Sequence, residues 1–334
     1  MTRKIAETAG SIALTILGLL LITFIIGRVV PIDPVLAIIG ENASQGVYER
    51  TRLELGLDRP LYVQFGKFIT KAVTGDFGVS VLTARPVLDD LKRVFPATIE
   101  LATLATLIGV LVGVPLGILA AVRHQSWIDH LARIVALVGH SVPVFWIGLM
   151  GLLVFYAELG WVGGPGRQSV AFLDSIPERT GMILIDCLLD GDLESFRDAW
   201  RHIVLPASVL GYFSLAYICR MTRSFMLEQL SKEYVTAARI KGLSEWHVVM
   251  RHAFRNIAVP LVTVIALSYG YLLEGAVLTE TVFAWPGLGN YLTDSLLRSD
   301  MNGVLGGTIL VGCIFISLNL LSDLLYRLLD PRTR

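Results

Sequence analysis

The stretch EYVTAARIKGLSEWHVVMRHAFRN, residues 233–256, is polar, basic and patterned, yet it lies between two long apolar segments of a 334-residue chain. Glu233–Lys241 contains neither Pro nor Gly and holds two adjacent alanines, which suits a short helix. Gly242 is a natural helix stop. Ser244 is positioned to cap a second helix that begins at Glu245 and runs amphipathically into the next apolar segment. The pattern predicts helix, tight turn, helix. Ala237 and Ala238 are small enough to admit another body, and Arg239, Lys241, Arg251 and Arg255 place positive charge around them. Two readings are open from pattern alone. The segment is either a docking element for a partner or an amphipathic connector resting on lipid.

The surrounding chain decides where this segment sits. Hydrophobic residues make up 54% and charged residues only 17%, with mean hydropathy +0.65. Soluble domains rarely reach that composition. A helix crosses a bilayer with roughly 20 apolar residues, and six segments qualify: Thr8–Gly27, Leu101–Val122, Ile134–Ala157, Ile203–Cys219, Ile257–Val282 and Gly303–Ser322. Backbone polar groups in lipid must pair internally, so the expected fold class is an all-α integral membrane protein. Thr8–Gly27 follows Arg3 and Lys4, but it is too long for a secretory h-region and no small-residue cleavage site follows, so it reads as retained.

Basic residues in short loops set orientation. Segment 220–256 carries seven, against Glu228, Glu233 and Glu245, a net charge of +4. Segment 158–202 holds four basic and eight acidic residues, a net of −4. With Arg3, Lys4, Arg327, Arg332 and Arg334 at the ends, both termini and 220–256 are expected in the cytoplasm. The organisation reads as an N-terminal transmembrane helix at 1–30 and an outer cap at 31–97. A core of five transmembrane helices follows at 98–328, carrying an outer insert at 158–202 and a cytoplasmic loop at 224–256, and a tail closes the chain at 329–334. Asp186 and its short apolar surroundings argue against a span inside the insert.

Several chemistries are missing. No GxxxxGK[ST], HExxH or GxSxG motif occurs. Cys187, Cys219 and Cys313 are widely spaced and suggest neither a disulfide framework nor a metal site. No catalytic residue, resident metal or nucleic-acid partner is expected. Gly109, Gly113 and Gly117 form a small-residue face in the second span, for packing inside the subunit or between subunits.

The spacing Thr236-Ala237-Ala238-x3-Gly242 resembles the EAA-x3-G motif of binding-protein-dependent ABC importer permeases, with Thr236 where that motif has Glu. The later I-x-L-P of the motif reads His252-Ala253-Phe254-Arg255 here, and a proline comes only at Pro260. LGLDRPLYVQFGKF (55–68), GDFGVS (75–80), RPVLDDLKRVFPATIELA (85–102), SVPVFWIGL (141–149), RHAFRNIAVPLVT (251–263) and ETVFAWPGLG (280–289) look like the peptide/nickel branch of the same family, in the right order along nearly the whole chain.

The resemblance implies the type I ABC importer permease fold and a bacterial or archaeal inner membrane. It implies that Glu233, Tyr234, Thr236, Ala237, Ala238, Arg239, Lys241, Gly242 and Leu243 form the loop that docks into a separate ATPase. It implies as partners a second homologous permease, one or two ATPase subunits that use ATP and Mg, a periplasmic solute-binding protein and membrane lipid. Peptides lead as cargo, with nickel or another small solute as the alternative within the branch and a secondary transporter as the alternative outside it. Glu274, a charge inside the fifth span, either lines the path and meets a substrate amine or cation, or pairs with the second subunit. The Trp285-Pro286-Gly287 turn either shapes an outer gate or docking surface, or simply joins two helices.

Overall fold

The computed structural model describes residues 2–29, 34–40, 44–54, 56–173 and 175–329. In chain order the helices are α1 (Thr2–Val29), α2 (Pro34–Ile39), α3 (Gln45–Glu54), α4 (Leu61–Val73), α5 (Val87–Val122), α6 (Trp127–Ser141), α7 (Val144–Gly151), α8 (Ile183–Asp190), α9 (Leu193–Leu230), α10 (Glu233–Ile240), α11 (Glu245–His247), α12 (Arg255–Gly275), α13 (Val277–Val282), α14 (Leu288–Leu297) and α15 (Met301–Leu329). Wider π-helical turns continue α7 through Leu152–Glu158 and join α11 to α12 through Val248–Phe254. Among the described residues there is no β-strand, only an isolated antiparallel bridge between Val79 and Pro86.

Five helical runs are long and apolar enough to cross a membrane: Gly10–Gly27, Val87–Val122, Leu193–Leu230, Glu245–Leu273 and Met301–Leu321. Trp127–Gly139 and Val144–Glu158, bent by 99° to each other, make a sixth when counted as one broken span. The sequence leads one to expect a straight span over 134–157, and here the structure differs. Val142 is extended (φ −95°, ψ 129°) ahead of Pro143. Proline lacks an N–H and its ring disfavours helical geometry in the preceding residue, so α6 ends there. The other spans also outgrow their apolar cores. The second begins at Val87 with Asp89 and Asp90 in its first turn, where the positive end of the helix dipole favours acids. The fourth runs from Leu193 to Leu230 with Pro206 inside it. The fifth stops at Gly275, and α13 carries the remainder of the expected segment to Val282. The basic side chains of Arg3, Lys4, Arg327, Arg332 and Arg334, and the tail beyond 329, lie outside the described residues.

The chain forms two compact units, residues 1–96 with 287–316, and residues 97–286 with 317–334. In the first, Phe24 of α1 packs against Phe65 and Phe68 of α4, with ring centroids 5.3 and 5.7 Å apart. Val87 and Leu91 are buried with Leu288 and Tyr291, partly covered by Phe77 and Leu310. Fully buried Asp300 accepts from Ser80 Oγ and from the Gly303 amide at 3.2 Å, which pins the 78–86 turn to the start of α15.

The second unit is built on the α5, α9 and α12 helices. Ile218 and Met226 of α9 are buried against Ile257, Leu261 and Val264 of α12 and Ala121 of α5. Lipid tails are as apolar as leucine, so close backbone approach holds such helices together better than water exclusion does. The glycine face supplies that approach. A Cβ on Gly113 would lie 3.0 Å from Leu215 O, and one on Gly117 would lie 2.7 Å from Cys219 O. The face packs within this chain, α5 against α9.

The 158–202 insert is tied to this unit by buried carboxylates. Glu100 of α5 accepts from Arg167 Nη2 at 2.5 Å and from the Leu184 amide at 2.7 Å. Asp186, buried in α8, accepts from Thr180 N and Oγ1, both at 2.8 Å, and from Gly181 N at 3.1 Å. That is why an acid sits in a short apolar run without making it a span: Asp186 turns inward to hold a loop, while Leu188 and Leu189 are exposed.

Candidate functional site

The polar segment 233–256 is ordered by local chemistry. α9 ends at Leu230, and Ser231 and Lys232 make the step into α10. Glu233 occupies the first turn of α10, at its positive end. After Ile240 the Lys241 amide bonds Ala237 O at 3.1 Å, and Gly242 takes the left-handed conformation with φ +78°. A side chain at 242 would meet nothing within 4 Å, so the backbone angle and not space is what calls for glycine. Leu243 N then reaches back to Ala238 O at 3.3 Å. Ser244 Oγ accepts from His247 N at 3.4 Å and caps α11.

Side chains fix this turn from both faces. On the inner face Val235 and Ala238 are buried with Val248 and touch Leu230. On the outer face Arg239 donates to both carboxylate oxygens of Glu245, at 2.8 and 3.2 Å. Tyr234 OH donates to Gln229 Oε1 at 2.9 Å and accepts from Asn256 Nδ2 at 3.0 Å, lacing α10 to α9 and α12. What remains free is apolar. Ile240 is 82% exposed and Trp246 73%, with Leu243 exposed between them and Thr236, Ala237 and Lys241 alongside. These three apolar side chains face away from the rest of the chain.

The two alanines therefore part company. The sequence suggests both as points of approach for a partner, but only Ala237 faces outward. Ala238 is 6% exposed because Val235, one turn earlier, faces Val248, and its small size serves packing within the chain.

The remaining sequence-predicted positions lie elsewhere. Glu274 belongs to the last turn of α12, and its side chain is outside the described residues. Trp285 is fully buried, donates Nε1–H to Ala97 O at 2.9 Å, and carries the Arg167 guanidinium over its ring at 5.4 Å. Its ring is a brace inside the second unit and offers nothing to a docking protein. Pro286 is exposed, and Gly287 precedes α14.

Sequence reasoning missed the ion pair that anchors the loop between α5 and α6. Asp129 of α6 is fully buried and accepts from Arg223 Nε and Nη2 of α9 at 2.5 and 2.9 Å, and from the Gln125 amide at 3.0 Å. Nor did it foresee the partner of Glu280, a charge inside the expected fifth span, which is fully buried and bonded by Thr98 Oγ1 at 2.6 Å. A carboxylate inside an apolar run was the available signal for Glu280.

Comparison with known proteins places the whole chain in one family. Residues 113–334 fit the family model described as binding-protein-dependent transport system inner membrane component, and residues 1–102 fit that of its N-terminal region. The chain is 45% identical to the probable D,D-dipeptide transport system permease protein DdpB of Escherichia coli K12, over 98% of this chain and 96% of that one. It is 43% identical to the dipeptide transport system permease protein DppB of the same strain, over 100% and 99%. It is 42% identical to the di/tripeptide transport system permease protein DppB of Pseudomonas aeruginosa UCBPP-PA14, over 100% and 99%. Among solved structures, a chain of the MetNI methionine ABC transporter in inward-facing form aligns with TM-score 0.50 at 17% identity, covering 70% of this chain and 93% of that one. At that identity the likeness speaks for the fold alone. The chain belongs to the binding-protein-dependent transport system inner membrane component family, the permease subunits of ABC importers.

Proposed function

We propose that this chain forms one half of a membrane path for short peptides, and that α10 with its glycine turn is where a separate ATPase pushes. The observation that carries the coupling role is the two-sidedness of the segment. Val235 and Ala238 seat it against Leu230 at the end of α9 and Val248 at the start of the π-helical turn, while Ile240, Leu243 and Trp246 stay exposed on the far side. A floppy loop would absorb a push, whereas a seated helix passes it to α9 and, through the π-helical turn, to α12. Glu233, Tyr234, Thr236, Ala237, Arg239, Lys241, Gly242 and Leu243 make up the docking element, and Ala238 positions it.

In this reading both termini and segment 220–256 face the cytoplasm. A second, homologous permease supplies the other half of the path. One or two ATPase subunits use ATP and Mg, and a periplasmic solute-binding protein delivers cargo to the outer segments. Glu274 either lines the path or pairs with the second permease. The Trp285–Gly287 turn stiffens the outer end of the second unit. Peptide as cargo is supported by the names of full-length relatives at 42–45% identity, all dipeptide or di/tripeptide permeases.

The test is purification of the chain with its companions in mild detergent, followed by reconstitution into vesicles. The expected result is recovery with an ATPase and a second permease, and dipeptide uptake that needs both ATP and the binding protein. Uptake by the chain alone, driven by a proton gradient without ATP, would overturn the reading.

A further inference from the structure

Two arginines lie one turn apart in the last third of α9 and are treated differently. Arg223 is consumed by buried Asp129. Arg220 is exposed and has no acidic partner among the described residues. It opens instead onto a pocket of about 300 Å³ between α9 and α12, lined by Phe213, Ser214, Tyr217, Ser268 and Tyr271. Its guanidinium carbon stands 5.8 Å from the centre of the Tyr217 ring, a cation–π contact that orients the charge while leaving its donors free. Deeper in the pocket Ser214 Oγ and Ser268 Oγ are 3.0 Å apart and hydrogen-bonded. All of these residues belong to the second compact unit.

An unpaired charge on a membrane helix, facing a cavity, is a starting hypothesis for a functional site. The pocket's chemistry narrows the ligand. A guanidinium presents paired N–H donors that match a carboxylate's two oxygens. Two hydroxyls and the two tyrosines add neutral hydrogen-bonding groups and apolar walls. The volume lies at the low end of the range for small-ligand pockets, roughly 300–1,000 Å³, and suits the end of a peptide better than a whole folded ligand. A path that accepts many peptides must read what all of them share, and each carries a terminal carboxylate.

We propose that Arg220, framed by Tyr217 and Tyr271, is a carboxylate station in the path that holds the C-terminus of the incoming peptide near the cytoplasmic end before release. This rests on the peptide-import reading above. In that orientation α9 descends toward the cytoplasm, so the cation draws the anionic end of the cargo inward.

The experiment uses the whole transporter in phosphatidylcholine vesicles and compares the wild type with Arg220→Gln. Dipeptide uptake below saturation is expected to fall about tenfold or more, the usual consequence of losing a hydrogen-bonded charge partner. ATP hydrolysis stimulated by loaded binding protein is expected to stay within about twofold of wild type, because the coupling segment is untouched. Equal uptake by both proteins would overturn the station while leaving peptide import standing. No ATP-dependent dipeptide uptake by the wild type would mean that the import reading itself has failed. A defect that appears only when phosphatidylglycerol is added would assign Arg220 to a lipid phosphate and overturn the proposal. If Arg220→Gln does not assemble, Tyr217→Leu decides. It is expected to lower uptake in the same direction, and unchanged uptake would overturn the station.

Discussion

Arg239 and Glu245 clasp each other with two hydrogen bonds, 2.8 and 3.2 Å, across the glycine turn that separates α10 from α11. Both side chains are largely exposed, 44% and 62%. Exposed pairs of this kind contribute about 0–1 kcal/mol, so stability is not what the clasp is for. Its geometric effect is to keep Ile240 and Trp246 in a fixed relation on either side of the turn. Glu245→Arg alone is expected to leave the melting temperature of the purified complex within a few degrees and to lower the number of peptides moved per ATP hydrolysed. Exchanging the two charges, Arg239→Glu with Glu245→Arg, is expected to restore much of that ratio. Failure of the exchange to restore anything would show that the individual charges touch the ATPase directly.

The contrast between Ala237 and Ala238 can be tested with the same substitution at each. Ala237→Asp places a charge in water on the exposed face of α10, so the chain is expected to reach the membrane at normal levels but to lose its ATPase on purification. Ala238→Asp buries an unpaired carboxylate against Val235 and Val248, an error of several kcal/mol. Lower protein levels are expected there. Western blots of membranes, with co-purification of the ATPase, separate the two outcomes.

Arg223→Met strands the Asp129 carboxylate, which has no exposed surface. Breaking a buried pair from one side typically destabilises by roughly 3–5 kcal/mol. Adding Asp129→Leu removes the orphan and is expected to recover most of the loss, since apolar replacements of buried pairs are often neutral. Thermal unfolding of the detergent-solubilised chain measures both. An undiminished melting temperature in the single variant would mean that Arg133, 3.8 Å from Asp129, suffices as partner.

Acid should loosen the start of α9. Asp192 caps it by accepting from Glu194 N, Ser195 N and Ser195 Oγ, at 3.0, 3.1 and 2.7 Å. The Ser195 hydroxyl, first among these, holds the carboxyl below its ordinary range. A depressed value in the folded state means that the cap contributes fully above the unfolded carboxylate value of about 4 and is lost as the pH drops through the folded value. Amide exchange at Glu194 and Ser195, corrected for intrinsic rates, should rise in that acid window. Asp192→Asn keeps a capping oxygen and removes the titration, so its exchange is expected to be flat there.

The helix–turn–helix at 233–247 was legible because its signals are local: no breaker before Ile240, glycine at the left-handed position, serine three residues ahead of the amide it caps. The α6–α7 corner was not, because mean hydropathy across 134–157 reports composition and is blind to what Pro143 does to the residue before it. Nor were the tertiary pairs, since Arg223 and Asp129 lie 94 residues apart and Arg167 and Glu100 lie 67 apart. Composition and spacing carry no information about which of several charges will meet. The facing of Ala238 sits between these cases. Val235 three residues before it was a readable hint, and Val248 settled it only once the turn had folded.

The glycine notches along α5 key it to the backbone of α9 like a ratchet with its pawl down. Sliding one helix past the other would drive Leu215 and Cys219 carbonyls into the α5 chain, so these two helices travel as a single strut. Any shape change between states must then be taken up at another seam, and the corner at Ser141–Pro143, where the helix is already broken and bent by 99°, is a ready place for it. A covalent tether between α5 and α9 is accordingly expected to leave uptake intact, while one that freezes the angle between α6 and α7 stops it. The opposite pattern in vesicle uptake would locate the moving joint inside the strut.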